Sequence, residues 1–185
     1  GRQLAIAAGC TSCHMENGIS KDPLVPNLAG QKLKYLRKQM NLFVLSRRQD
    51  TKGEMISERS HPIMSHLTRY LTPKDTFQIL SYYASLECEL IRPIDWAKTT
   101  QYAETCEICH GGIRSNPFRD SPHLAGQKTA YLKKQMAQMI ESAKNKNLEN
   151  DRYHRLTELM VYGISADKLE RAINYYGSFT CFVKQ

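Results

Sequence analysis

Apolar residues recur at helical spacing through much of the chain. Leu33, Leu36, Met40 and Phe43 fall three or four positions apart, with Lys32, Lys34, Arg37 and Lys38 interleaved, so a one-sided helix is expected there. Leu132, Met136, Met139 and Ile140 predict a second such helix. Short helices are expected over Leu4–Gly9 and Trp96–Thr105. Another starts at Thr72, an N-cap residue followed by Pro73 and Asp75, and its counterpart starts at Ser165 with Asp167 behind it. No stretch alternates convincingly at the two-residue period of a strand. The pattern therefore reads as all-α.

The elements come in two sets. Cys10-Thr11-Ser12-Cys13-His14 recurs 96 residues later as Cys106-Glu107-Ile108-Cys109-His110. At the same offset Leu28-Ala29-Gly30-Gln31-Lys32 becomes Leu124-Ala125-Gly126-Gln127-Lys128, and Tyr35-Leu36-Arg37-Lys38-Gln39-Met40 becomes Tyr131-Leu132-Lys133-Lys134-Gln135-Met136. Near the ends the offset drops to 93, matching Tyr82–Cys88 with Tyr175–Cys181. The repeat gives two domains, residues 1–90 and 91–185, joined through Cys88–Asp95 with its Pro93. Three helices in about 90 residues make a thin core, a weak hint that each unit holds something large.

Composition narrows the partners. The 185 residues carry a net charge of +8, which favours an acidic partner. No run of five like charges and no nucleic-acid motif is present, so nucleic acid is not expected. Mean hydropathy is −0.52 and the apolar runs are short, which leaves no membrane-spanning segment.

The doubled Cys-x-x-Cys-His carries the chemistry. Two thiols at that spacing can add across the two vinyl groups of a haem, and the adjacent histidine can ligate the iron. Zinc could draw four cysteines from two such pairs. A redox dithiol belongs near a βαβ pattern, which is absent. Neither alternative requires a histidine directly after the second cysteine in both copies.

With these motifs the chain resembles the dihaem cytochrome c4 family. The shared features are the two Cys-x-x-Cys-His motifs, Leu-Ala-Gly-Gln with Tyr-Leu-x-Lys-Gln in both halves, and a capped helix that ends in Tyr-Tyr. The resemblance implies two tandem class I cytochrome c domains related by pseudo-twofold symmetry. It implies two haem c groups bound covalently through Cys10, Cys13, Cys106 and Cys109, with His14 and His110 as axial ligands and Pro26 and Pro122 packing beside them. It also implies single-electron transfer in the bacterial periplasm. Gly1-Arg2-Gln3 leads almost at once into the first helix, which reads as a mature chain after export.

The sixth ligands are read residue by residue. Met64 follows Ser60-His61-Pro62-Ile63 and stands eight residues before Thr72, as the family's methionine loop would have it; core packing, His61 and His66 are the alternatives. The second half departs, with Thr157 eight residues before Ser165. Met160 lies 54 residues from Cys106, as Met64 does from Cys10. His154 is its rival, because Asp151-Arg152-Tyr153-His154 matches Glu58-Arg59-Ser60-His61 in another register, and an open iron is the third alternative. Methionine raises the potential of the iron and a second histidine lowers it.

Cys88 and Cys181 hold equivalent places. The pseudo-twofold arrangement would bring them together as a disulfide; two free thiols, or two symmetric contacts to other chains, are the alternatives. His66 and His123 are expected to pack or face solvent, and Trp96, next to the linker, to lie at the domain interface or in the core. Lysines 32, 38, 128 and 134 read as a solvated helix face or as a docking patch for an acidic redox partner such as an oxidase, reductase or dehydrogenase. A soluble electron carrier leads, and the electron-accepting subunit of a sulfur-compound dehydrogenase follows. A peroxidase or reductase would need a catalytic constellation that the sequence does not offer.

Overall fold

Caps and apolar stripes place the helices. The computed structural model describes residues 1–46, 59, 61–91, 103–110, 120–144 and 163–183. Met160, His154, Thr157 and Trp96 lie outside these described residues.

In the first half a helix over Arg2–Ala7 leads into a short turn, Thr11–His14, and then a long helix, Leu33–Leu45. The helix Pro62–Leu67, continued by a 3-10 turn over Thr68–Tyr70, precedes the helix Pro73–Ser85. Thr72 caps that last helix with a reciprocal box: its hydroxyl accepts from Asp75 N–H, and the Asp75 carboxylate accepts from Thr72 N–H. In the second half the helices Glu104–His110, Thr129–Lys144 and Ala166–Ser178 are described, the last capped by Ser165.

Two differences from the sequence expectation are local. The first helix closes at Ala7, where Gly9 with φ 75° turns the chain into the cysteine motif. Met64 lies inside a helix rather than ahead of one, because His61 accepts from its N–H and Pro62 opens the turn.

Leu33–Leu45 packs on Pro73–Ser85, and Thr129–Lys144 packs on Ala166–Ser178. Each pair encloses its own apolar cluster. Ala5, Leu36, Met40, Ile79, Leu80 and Tyr83 make the first. The second gathers Ala103, Ala125, Leu132, Leu169, Ile173, Tyr175, Tyr176 and Phe179. The helices cross closely at Gly177, where an added Cβ would overlap the side chain of Thr129.

Where no strand was expected, Glu89–Ile91 and Thr180–Phe182 pair antiparallel, with Leu90 opposite Cys181. Three residues are too few to carry a readable alternation. Cys88 and Cys181 are bonded beside this ladder, their Cα atoms 5.3 Å apart. Leu90 packs against the second half's cluster, so the chain leaving the first half is held against the other core.

Candidate functional site

Each cysteine motif sits on a helical turn that brings its histidine inward. Cys10, Cys13, Cys106 and Cys109 form no disulfide, while the other two cysteines are joined to each other. Burial pushes the Cys10 and Cys106 thiols up. Among the described residues no three His, Cys, Asp or Glu side chains gather to hold a metal ion, which gives the zinc reading no support there.

His14 and His110 are 7% and 8% exposed. His14 Nδ1–H donates to the Pro26 carbonyl at 3.0 Å, and His110 Nδ1–H donates to the Pro122 carbonyl at 2.9 Å. A carbonyl can only accept, so the proton is on Nδ1 and the lone pair on Nε2 in both rings. Burial lowers both histidines' pKa values, and a positive charge from the opposite half adds to this: Lys128 acts on His14 and Lys32 on His110. Two neutral, oriented imidazoles directly after paired thiols suit the iron of a covalently attached haem. The donor set fits that group in both halves.

Met64 is half-buried and packs on the cluster that Cys10 also touches. Its helix is well anchored. Ser65 Oγ accepts from His61 N–H at 3.1 Å and lies 2.9 Å from Ser46 Oγ at the end of the long helix. Burial lowers the His61 pKa, and its Nδ1 is engaged by Met64 N–H. His66 stacks edge-on against Tyr70. The second half's candidates for the sixth ligand, Met160 and His154, lie outside the described residues.

The residues that sequence reasoning passed over are Gln31 and Gln127, 5% and 7% exposed. Gly30 and Gly126 precede them with φ of 61° and 80°, a left-handed turn that favours glycine. Each glycine N–H donates to the second tyrosine of its half's Tyr-Tyr pair, at Tyr83 O and Tyr176 O. The glutamine side chains then reach into the opposite half. Gln127 Oε1 accepts from Asn27 N–H at 2.9 Å while its Nε2–H donates to Asn27 O at 3.0 Å. Gln31 Oε1 accepts from His123 N–H at 2.9 Å while its Nε2–H donates to His123 O at 3.0 Å. Asn27 and His123 occupy matching places in the repeat, so the two contacts are related by the pseudo-twofold. Asn27 also donates to Gly126 O at 2.9 Å, and the Lys128 ammonium donates to Ser20 O and, at 2.6 Å, to Asp22 O. The available signal was the identity of both glutamines in both repeats.

Comparison with known proteins follows the same lines. The family model described as cytochrome c matches residues 1–87. Cytochrome c4 of Pseudomonas aeruginosa is 30% identical over 155 residues, covering 76% of this chain and 70% of that protein. Cytochrome c-552 of Acidithiobacillus ferridurans is 24% identical, covering 87% of this chain and 73% of its own length. The crystal structure of reduced cytochrome c4 from Pseudomonas stutzeri superposes with a TM-score of 0.70 over 95% of both chains, at 22% identity. A thiosulfate dehydrogenase structure from Marichromatium purpuratum matches 96% of this chain and 39% of its own, with a TM-score of 0.64 and 27% identity.

Proposed function

Because the chain belongs to the dihaem cytochrome c4 family, a family of electron carriers with two covalently bound haem c groups, we propose that it passes single electrons between exported redox partners. The observation that carries this is the pair of Cys-x-x-Cys-His turns, each with a buried histidine held by a proline carbonyl. In this reading Cys10, Cys13, Cys106 and Cys109 hold the haems, and His14, His110 and Met64 are axial ligands. Met160 completes the second site, with His154 as its rival. The haem supplies a one-electron ferric/ferrous couple when bound. The protein's part is to orient the ligands, keep the imidazoles neutral and set the surroundings of each iron. Two separate apolar clusters, one in each half, support a division into two domains.

A periplasmic location fits, since haem attachment to c-type proteins and persistent disulfides both belong outside the cytoplasm. No helix among the described residues is long and apolar enough to cross a membrane. The net charge of +8, offset in part by the haem propionates, suits an acidic partner.

Pyridine haemochrome analysis and a redox titration test the reading together. Two haems per chain and two one-electron steps are expected; a single haem, or none, would overturn it. Electron-transfer rates to a partner oxidase should fall as salt rises, and a flat response would remove the basic docking face.

The thiosulfate dehydrogenase likeness favours a second reading, an electron-accepting unit of a dehydrogenase acting on sulfur compounds. Isolation from the native membrane-free extract in a stable complex with a catalytic chain would select it over the free carrier.

A further inference from the structure

The carbonyl of Pro26 and the N–H of Asn27 belong to one peptide unit. His14 Nδ1–H donates to its oxygen at 3.0 Å, and its N–H donates to Gln127 Oε1 at 2.9 Å. The peptide between Pro122 and His123 is held likewise, between His110 Nδ1–H at 2.9 Å and Gln31 Oε1 at 2.9 Å. Each histidine is thus connected, through a single polarisable amide, to a glutamine of the opposite half.

Hydrogen bonds in series strengthen one another, the more so where water is excluded. An acceptor on the amide N–H makes the amide oxygen a better acceptor. That oxygen then draws the Nδ1 proton and makes the far nitrogen of the ring more electron-rich. The buried state of both glutamines and of Asn27 keeps water from substituting for the missing link. Reciprocity also fixes which end of each side-chain amide is the oxygen, since a flipped amide would set N–H against N–H.

We infer that Gln127 and Gln31 are crossed positioning residues: Gln127 strengthens the hydrogen bond of His14 and thereby favours the ferric state of the first half's haem, and Gln31 does the same for the second half's haem through His110. The inference rests on the assignment of His14 and His110 as iron ligands made above. A glutamine that only fastened the halves together would disturb both sites alike or neither.

The test uses the full-length holoprotein. In the reduced, diamagnetic state, the Nδ1–H proton resonances of His14 and His110 are followed by NMR. A redox titration then follows each haem through resonances assigned by its own half's side chains. Gln127→Leu should move the His14 Nδ1–H signal upfield and leave that of His110 in place. It should also shift the first haem's ferric/ferrous balance about threefold towards ferrous. At 59 mV per tenfold, that is about 28 mV. Gln31→Leu should do the same at His110 and the second haem. Gln127→Glu keeps an oxygen on the Asn27 N–H and, as a charged carboxylate, makes it a stronger acceptor, so the His14 signal should hold its position or move downfield. Equal shifts at both sites, a shift confined to the glutamine's own half, or no shift with both haems present would each overturn the inference. Should the leucine variants not fold, the glutamate variants still decide: an upfield His14 signal in Gln127→Glu would sink the proposal. The ligand assignment fails by a different result, a His14→Ala protein whose first haem keeps an unchanged axial-histidine spectrum.

Discussion

The two halves share the Cys-x-x-Cys-His turn, the proline carbonyl and the crossed glutamine, but differ in what surrounds them. Between its cysteines the first half has Thr11 and Ser12, and the second has Glu107 and Ile108. In the second half Tyr175 OH donates to the Glu107 carboxylate at 3.0 Å. In the first half the matching tyrosine, Tyr82, donates to a backbone oxygen, that of Glu16, at 2.8 Å, and Tyr83 donates to Met15 O at 3.2 Å. A carboxylate therefore stands within one Cys-x-x-Cys-His turn and not within the other. What repeats is the frame that decides where an iron is held. What does not repeat is expected to set the two irons apart in energy, because a nearby negative charge favours the ferric state. Helix packing diverges too, since Gly177 stands where the first half has Ala84.

Five changes break or sharpen this contrast. The largest effect is expected from removing one pair of attachment cysteines at a time. Cys10→Ser with Cys13→Ser, or Cys106→Ser with Cys109→Ser, should leave one haem per chain by pyridine haemochrome. If either pair left two, that half's attachment assignment would be wrong. Replacing Cys88 and Cys181 by serine opens a loop of 93 residues. The entropic account expects a loss of about 4.6 kcal/mol in denaturant melting, and a loss below about 1 kcal/mol would leave the halves held by other contacts.

Met64→His should lower the first haem's potential by on the order of 0.1–0.2 V. It should also remove the first half's share of the methionine–iron band in the ferric spectrum. A remaining band selects Met160 in the second half, and complete loss selects His154. Gly177→Ala forces a methyl group onto Thr129 and should cost about 1–3 kcal/mol of stability. A variant as stable as the parent would show that the helix crossing relaxes freely. The smallest effect belongs to Glu107→Thr, which copies the first half's residue. After allowance for solvent screening it should raise only the second haem's potential, by roughly 20 mV. A fall, or an equal rise at both haems, would remove Glu107 as a source of asymmetry.

Much of the fold was legible because its signals are local. Thr72 with Asp75, and Ser165 with its hydroxyl on Lys168 N–H, mark helix starts that depend on four consecutive residues. The cysteine motifs are likewise self-contained. The strands were not legible, since Glu89–Ile91 and Thr180–Phe182 are defined by each other rather than by their own pattern. Met64 was singled out by spacing, but its place inside a helix depends on the side chain of His61. Gln31 and Gln127 were visible as repeated letters only. Their role needs partners 92 and 100 residues away, and neither charge nor periodicity points across such a distance.

The disulfide and the paired glutamines together have a mechanical meaning. A single fastening would let one half swivel about it, and the rate at which an electron crossed would then follow the swivelling. Two fastenings, formed by segments far apart in the chain, remove that rotation. Electron exchange within the molecule should accordingly be indifferent to solvent viscosity, as in a solid conductor rather than a joint.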